Sequence, residues 1–242
     1  VQLTQSVLFR DPERAVRANE ILGRHPEFRL LVRDELSFER AQQLLPDVDA
    51  ALSYDMALGW DPKPVQLATT GPVLVIARDD REASSGLISA AAEWSDVDTR
   101  VTDWTRHDEH PKSWHRARKI MRLNGDLLAR SRRFRGLVPT LPTGTLVRQL
   151  EHVNDWNVDW AVDLFAASPA MVVDRLHAHV LAALLGIPHV VLDNDHGKIS
   201  TVFHSYTGQF STAHYAVSPD EAHEQLRDIL VDGHASRLRR TD

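Results

Sequence analysis

Arginine and histidine side chains that could bind an anion follow two hydrophobic runs of the sequence. Arg78 comes after VLVIA at 73–77, and Arg175 and His177 come after MVVD at 171–174. Such uninterrupted runs are typical of buried parallel strands, and parallel sheets bind ligands at the carboxyl ends of their strands. Arginine offers a planar, permanently charged fork and histidine can carry a proton, so the pattern favours a site for a phosphate or a carboxylate.

Each half of this predicted site also has a purely structural interpretation. Two arginines at strand ends could hold one small ligand from two sides. However, the segment 78–82 reads RDDRE, and its charges could equally form a cluster of surface ion pairs. Arg175 could pair with a carboxylate of the fold, with His177 capping or packing. Spacing alone does not separate these alternatives.

His177 and His179 form an HxH pair, a pattern that is also found in metal sites. The segment that contains them is predicted to be a helix, on which residues two apart do not face each other. The pair is therefore predicted not to bind a metal, and His179 is predicted to be a hydrogen-bonded histidine of the core. On a strand the two rings would share a face, and a metal site would become plausible again.

A third candidate loop, LDNDHGK at 192–198, follows another apolar run. Asp193 and Asp195 match the DxD pattern with which some glycosyltransferases hold a divalent ion, although so short a pattern is common by chance. Gly197 and Lys198 could approach a phosphate. The sequence contains no GxGxxG, P-loop or GxSxG motif, so the usual nucleotide and hydrolase signatures give no support.

Short apolar runs alternate with helical patterns, which predicts an α/β fold of two Rossmann-like lobes with parallel sheets. The lobes are expected at 1–65 and 66–242, with a proline-containing linker over 60–71. Asp11 and Ser37 are the predicted N-caps of the first two helices. Strands are predicted at 1–3, 29–32, 50–52, 73–76, 99–102, 171–174 and 189–192, and later helices at 85–94, 176–185 and 219–230.

Composition excludes several classes of protein. The 242 residues include no Cys, which removes disulfide scaffolds, thiolate catalysis, Fe–S clusters and Cys-based zinc sites. The net charge of −6 argues against a general nucleic-acid-binding surface. The apolar run at 176–192 contains three histidines and a Gly–Ile–Pro break, so no membrane span is predicted and a cytoplasmic location is expected. Because the chain opens with Val1, we expect the N-terminal lobe to be incomplete.

The segment 112–135 is strongly basic in an otherwise acidic chain. Asp126 is its only acidic residue, and its basic residues are Lys112, Arg116, Arg118, Lys119, Arg122, Arg130, Arg132, Arg133 and Arg135. The segment could simply be the solvated face of a helix. It could also contact anionic head groups or a pyrophosphate-linked acceptor. Nucleic acid is a third interpretation, which the acidic remainder of the chain weakens.

Taken together, several segments resemble the polysaccharide pyruvyl transferase family. VDRLHAH at 173–179, LLGIPH at 184–189 and LDN at 192–194 with GK at 197–198 are similar to that family's TDRLHGH, LLGIPH and LDNxYGK pattern. Earlier segments resemble its LPQS, LxxRD, PDMA and RxDxE motifs; they are LTQS at 3–6, LLVRD at 30–34, DMA at 55–57 and RDDRE at 78–82. The chain departs from the pattern at Thr4, Tyr54, Val173, Ala178 and His196, and it lacks a Gly-rich segment that precedes LPQS in the family.

The resemblance implies a fold like that of GT-B glycosyltransferases and an enzyme that needs no cofactor or metal. Such enzymes transfer a pyruvyl group from phosphoenolpyruvate to two hydroxyls of a sugar, forming a ketal and releasing phosphate. Arg78 and Arg175 would then clamp the two anionic groups of this donor in the second lobe, and His177 would handle protons. The remaining expected substrate contacts are Leu176, Asn194 and Lys198.

The acceptor expected from the resemblance is a sugar or a lipid-linked oligosaccharide of an exopolysaccharide or a cell-wall glycan. With such an acceptor, the basic segment 112–135 would bring the protein to the inner face of the membrane. Two alternatives remain open at this stage. One is a sugar-nucleotide glycosyltransferase of the same architecture, and the other is a glycan- or anion-binding protein without catalysis.

Overall fold

The computed structural model describes residues 2–79, 83–104, 110–133, 142–193 and 197–238. Over these residues the protein is α/β with two fully parallel sheets of three and five strands, as the sequence predicts. The strands are β1 Gln2–Gln5, β2 Arg29–Val32, β3 Asp49–Leu52, β4 Val73–Ile76, β5 Thr99–Thr102, β6 Met171–Val173, β7 His189–Leu192 and β8 Ala213–Ala216. The helices are α1 Pro12–Leu22, α2 Glu35–Leu44, α3 Leu87–Ala91, α4 Lys112–Arg133, α5 Thr143–Ala166, α6 Leu176–Leu185, α7 Lys198–Ser205 and α8 Pro219–Leu238, with 3-10 helices at Met56–Gly59 and Thr207–Gln209.

The three-stranded sheet has the order β1-β2-β3. Its core is built where Leu30 and Val32 of β2 pack against Ala41 and Leu45 from the α2 region. Both residues of β2 are almost fully buried, and their neighbours along the strand are more exposed. This alternation is what a strand with one well-covered face requires.

The N-caps of the first two helices confirm one prediction and correct another. Asp11 caps α1 through its side chain, as predicted. The second helix begins at Glu35 and is capped by Asp34, whose carboxylate accepts the N–H of Ser37. The prediction of Ser37 as the cap is therefore wrong. Asp34 and Ser37 are both suitable cap residues and lie three positions apart. Asp34 is the N-cap because its carboxylate accepts the N–H of the third helical residue, which is Ser37.

The five-stranded sheet has the order β5-β4-β6-β7-β8, which is 2-1-3-4-5 when its strands are numbered along the chain. Every residue of β4, β6 and β7 is buried, as expected for parallel strands that are covered on both faces. The strand order reverses between β4 and β6. In sheets of this kind, ligands bind outside the carboxyl ends of the strands at the point of reversal.

Five predicted elements have different bounds in the structure. The strands predicted over 1–3 and 50–52 are Gln2–Gln5 and Asp49–Leu52. The helix predicted over 85–94 is only Leu87–Ala91: it begins late because Gly86 adopts a left-handed conformation with φ of 70° immediately before it, and it ends at Ala91. The strand predicted over 171–174 ends at Val173, so Asp174 lies beyond the sheet. The last helix continues past 230 to Leu238.

The described chain divides into two compact units. The first, Val1–Asp103 with Phe165–Asp242, contains both sheets. The second, Trp104–Leu164, contains α4 and most of α5, and its small core forms around Trp114, Ala117 and Val153. The division into lobes at residue 65 falls between the two sheets, and it stays a prediction.

The apolar run over 176–192 is divided between a short helix and a strand. Gly186 ends α6 in a left-handed conformation, and β7 begins three residues later. A helix of ten residues is about 15 Å long, roughly half the hydrocarbon thickness of a bilayer. Within the part of the chain that the structure describes, no helix has both the length and the apolar composition that crossing a membrane requires.

Candidate functional site

Arg78 and Arg175 follow neighbouring strands, on the two sides of the point where the strand order reverses. Arg78 lies in the loop after β4, and Arg175 is the residue at which α6 begins after β6. Ile76 of β4 pairs with Val173 of β6, which places the two loops side by side. The predicted location of both arginines at carboxyl strand ends is therefore confirmed, while their contact with a substrate stays a prediction.

Asp174 connects these two loops. Its Oδ1 accepts the backbone N–H of Arg78 at 2.9 Å, and its Oδ2 accepts the hydroxyl of Ser85 at 2.7 Å. Burial raises the pKa of Asp174, which the two hydrogen bonds and the nearby arginines oppose. The side chain thus fixes the backbone of Arg78 relative to the start of α6.

Arg175 also makes a structural ion pair. Its Nη2 donates to Oδ2 of Asp103 at 2.6 Å, and only 13% and 11% of the two side chains are exposed. Asp103 follows β5, so the pair spans the carboxyl ends of three adjacent strands. The alternative in which Arg175 pairs with a carboxylate of the fold is therefore observed. A guanidinium has five N–H donors, so this pairing is compatible with a second anion.

His177 lies in the first turn of α6, as predicted, with 62% of its side chain exposed. Its Nε2 lies 3.9 Å from Oδ2 of Asp55, which comes from the loop after β3. Protein atoms around the ring lower the pKa of His177; Asp55 opposes this effect and the positive charge of Arg33 reinforces it. By contrast, Leu176 is 8% exposed, so its side chain belongs to the core.

Asp55 and Arg33 form a second buried ion pair, which was not predicted as part of the site. Arg33 Nη1 donates to Oδ2 of Asp55 at 2.7 Å, and Arg33 Nε donates to the hydroxyl oxygen of Ser6 at 3.0 Å. The Ser6 hydroxyl in turn donates to Asp34 at 2.8 Å. All four residues follow strands of the three-stranded sheet, which is the signal that could have identified them.

A cavity of about 680 Å³ lies beside Asp55. Its aromatic walls are Tyr54, Tyr206 and Phe210, and the rings of Tyr54 and Tyr206 meet edge to face with centroids 5.2 Å apart. The hydroxyl oxygen of Tyr206 accepts the backbone N–H of Asp55 at 3.2 Å. Partial burial raises the pKa of Tyr206 to about 12, so its hydroxyl is neutral at ordinary pH.

His179 is a hydrogen-bonded core histidine, as predicted. His189 Nδ1 lies 2.8 Å from the carbonyl oxygen of Ile187, which can only accept, so this nitrogen carries a proton. The Nε2 of His189 then accepts from Nδ1 of His179 at 2.8 Å, and Nε2 of His179 accepts from the hydroxyl of Thr207 at 2.7 Å. His177 points to Asp55 instead, so α6 does not bring the two rings of the HxH pair together.

The loop after β7 is described only in part. Both carboxylate oxygens of Asp193 accept backbone N–H groups of the first turn of α7, from Ile199 and Ser200, each at 3.2 Å. This capping role explains Asp193 without a metal ion. Lys198 is the first residue of α7, whereas Asn194 and the rest of the predicted DxD pattern lie outside the described residues. Over the described ranges, no three His, Asp or Glu side chains are grouped to hold a metal ion.

Helix α4 of the second unit is basic on its exposed side. Trp114 and Ala117 face the core, and Arg118 lies over the Trp114 ring at 4.8 Å from its centroid. A groove of about 490 Å³ runs between α4 and α5 and is lined by His115, Arg118, Lys119 and Arg122 together with apolar residues. The predicted basic helical face is thus present. Arg135 lies outside the described residues.

Two curated proteins are similar to this chain. EpsO of Bacillus subtilis, which is named as a pyruvyl transferase, is 25% identical over 206 residues, covering 85% of this chain and 59% of EpsO. Pyruvyl transferase 1 of Schizosaccharomyces pombe is 40% identical over 45 residues, which are 18% of this chain and 11% of that protein. The chain therefore spans about three-fifths of the length of EpsO.

The family comparison covers most of the sequence. The model of the polysaccharide pyruvyl transferase family matches residues 3–196, a range that includes both buried ion pairs and all but one of the predicted contact residues. The match extends from β1 of the three-stranded sheet past β7 of the five-stranded sheet. The chain belongs to the polysaccharide pyruvyl transferase family.

Proposed function

We propose that this protein transfers a pyruvyl group from phosphoenolpyruvate to two hydroxyls of a sugar in a polysaccharide. The observation that carries the proposal is the pair of arginines on either side of the β4–β6 reversal, with His177 in the first turn of α6. Phosphoenolpyruvate bears a phosphate and a carboxylate on a three-carbon frame. Two arginines at adjacent strand ends suit two anionic groups that lie this close together.

The reaction balances without a cofactor or a metal ion. One sugar hydroxyl adds to C2 of phosphoenolpyruvate, and the methylene carbon C3 gains a proton, in net terms the one that this hydroxyl loses. The second hydroxyl then forms its bond to C2 while the bond from C2 to the phosphate oxygen breaks. Its proton leaves with the phosphate, so the products are a cyclic ketal with a free carboxylate and inorganic phosphate.

The side chains divide this work between charge and proton transfer. Arg78 and Arg175 hold the phosphate and the carboxylate, and the free N–H groups at the start of α6 add positive potential. His177 is the proton carrier, because its exposed ring lies 3.9 Å from the Asp55 carboxylate and its lowered pKa keeps a neutral, basic form available. We also propose that Asn194 and Lys198 contact the donor, and that Leu176 contributes through its backbone.

The donor is tested by calorimetric titration of phosphoenolpyruvate, a UDP-sugar and inorganic phosphate into the whole chain. We expect selective binding of phosphoenolpyruvate and phosphate release in the presence of sugar acceptors. Arg78→Ala should weaken phosphoenolpyruvate binding at least about 30-fold, since a charge-assisted pair is lost. Binding of the UDP-sugar alone would favour glycosyl transfer, and binding without turnover would favour a glycan- or anion-binding protein.

The proposal includes a cytoplasmic protein that works at the inner face of the membrane on lipid-linked sugar. The exposed basic side of α4 supports it, because each Lys or Arg near an anionic bilayer contributes about 1 kcal/mol. We expect co-sedimentation with phosphatidylglycerol vesicles, weaker binding to phosphatidylcholine vesicles and loss of binding at high salt. Arg118→Glu with Lys119→Glu should abolish it, and equal binding to both kinds of vesicle would contradict this part of the proposal.

A further inference from the structure

We infer that the 680 Å³ cavity beside Asp55 is the binding pocket for the acceptor sugar. The inference rests on the proposed function and assigns the second substrate to a specific place. Ligand pockets for small molecules typically enclose about 300–1,000 Å³ and combine apolar walls with a few polar groups. The cavity has this size and this mixture.

The charges around the cavity favour a neutral ligand. In the region that the structure describes, no Lys, Arg or His lines it, and its only carboxylate is that of Asp55. Arg33 balances that carboxylate from the side of the three-stranded sheet at 2.7 Å. A phosphate or a carboxylate would find no cation in this cavity, so phosphoenolpyruvate does not belong there.

The walls suit the two kinds of surface that a sugar ring presents. Tyr54 and Phe210 offer flat apolar faces for the C–H side of the ring, and Tyr54 is 66% exposed before any ligand binds. Asp55, Gln209 and Tyr206 supply oxygen and nitrogen atoms for hydroxyl groups. A neutral polyhydroxylated ring is the ligand class that uses both features.

The position of the cavity connects it to the proton carrier. Asp55 lines the cavity, and the same carboxylate lies 3.9 Å from Nε2 of His177. A sugar hydroxyl that donates to Asp55 therefore lies close to the imidazole that takes its proton. Arg175 stands at the start of the helix that carries His177, and Arg78 lies in the neighbouring loop after β4, so donor and acceptor would meet at His177.

The experiment separates the pocket from the donor site by measuring both ligands on the same variants. Methyl glucoside, methyl galactoside and methyl mannoside serve as acceptor probes, read by saturation-transfer NMR without phosphoenolpyruvate and by phosphate release with it. We expect Tyr54→Ala and Gln209→Ala to raise the dissociation constant and the KM of the preferred glycoside about tenfold. Both should leave phosphoenolpyruvate affinity within about twofold, because neither Arg78 nor Arg175 lines the cavity that contains Tyr54 and Gln209.

Val16→Ala, at an exposed apolar residue of α1, is the matched control and should change neither ligand. Unchanged glycoside binding in both cavity variants would overturn the inference, as would the absence of saturation transfer to any glycoside in the wild type. If glycoside binding depends on Tyr54 but phosphoenolpyruvate neither binds nor turns over, the pocket stands and the proposed function fails. Thermal unfolding of each variant identifies any loss of fold.

Discussion

The carboxyl edges of the two sheets have the same design and different chemistry. Each edge carries a buried Arg–Asp pair, Arg33 with Asp55 at 2.7 Å and Arg175 with Asp103 at 2.6 Å. Beside the first pair lies a cavity without cations over its described lining. Beside the second lie a further arginine and the start of α6.

The difference teaches that the sheets determine where ligands can meet and the side chains determine which ligands those are. Parallel strands deliver their loops to one edge whatever the sequence, and the two edges approach each other where His177 faces Asp55. Under the proposed function, one edge binds the anionic donor and the other binds a neutral polar acceptor. Variants of equivalent residues on the two edges should therefore fail in different ways.

The largest effect is expected at Arg175. Arg175→Ala removes the proposed clamp for the donor and breaks the ion pair with Asp103, so kcat/KM for phosphoenolpyruvate should fall about 1,000-fold. Arg175→Lys keeps the charge and loses the fork, and should recover only part of the loss. Steady-state phosphate release measures both, with Arg100→Ala on exposed β5 as control. A wild-type rate in the alanine variant would show that the two edges do not differ as described.

His177→Gln tests the contact between the two edges. We expect turnover to fall between about 100-fold and 10,000-fold, the usual contribution of a positioned acid or base. Phosphoenolpyruvate affinity and the unfolding midpoint should change little, because most of the side chain is exposed. His152→Gln on α5 is the control, and phosphate release with calorimetry is the measurement. If both histidine variants turned over equally, His177 would not carry the proton.

The three-stranded edge should lose stability before it loses donor binding. Arg33→Met leaves the Asp55 carboxylate buried without its partner, and should lower the free energy of unfolding by about 3–5 kcal/mol. Arg29→Met breaks an exposed ion pair of the same sheet, in which Arg29 and Asp49 are also 2.7 Å apart. This variant should change the free energy of unfolding by less than about 1 kcal/mol. Urea unfolding measures the free energy of unfolding of both variants. Equal losses would mean that burial of the pair has no energetic consequence.

The buried histidines that hold α6 in place should make the stability of the fold depend on pH. Burial lowers the pKa of His179 to about 3 and that of His189 to about 4, with His189 and His214 as further positive neighbours. Their unfolded pKa is about 6.5, so the unfolded state binds more protons below that pH. Stability is therefore complete above about pH 6.5 and decreases as the pH falls towards 4, by at most about 1.4 kcal/mol per pH unit for each histidine.

Thermal unfolding between about pH 7 and 5 measures this slope. The variant with His179→Gln and His189→Gln should unfold at a lower temperature overall but with a flatter dependence on pH. His25→Gln, at an exposed histidine, should keep the wild-type slope. A slope that is the same in all three proteins would assign the pH dependence to other groups.

Much of the fold could be predicted because the buried strands are strongly patterned. The runs at Val73–Ile76 and His189–Leu192 indicate covered parallel strands, and both bounds were correct. The strand Ala213–Ala216 was not predicted, because AHYA combines small and polar residues whose strand character depends on pairing with β7. Helix α3 was predicted too long because the left-handed Gly86 delays its start.

The candidate site was predicted on one edge only. Arg78, Arg175 and His177 were found because each follows a recognisable strand or opens a helix. Arg33 and Asp55 also follow predicted strands, but their pairing and the cavity beside them were missed because that environment is built by distant parts of the chain. The hydrogen bond from the backbone N–H of Asp55 to the hydroxyl of Tyr206 joins residues 151 positions apart. Local sequence patterns carry no information about such a contact.

The cavity wall that Tyr206 and Phe210 provide sets an order of events during synthesis. Chains emerge from the ribosome N-terminus first, so the three-stranded sheet can pair once residue 52 is free. The cavity beside this sheet lacks the wall formed by Tyr206 and Phe210 until the segment that follows α7 has also emerged and packed in place. Each newly made molecule can therefore pair these three strands before the segment that completes the cavity has been made.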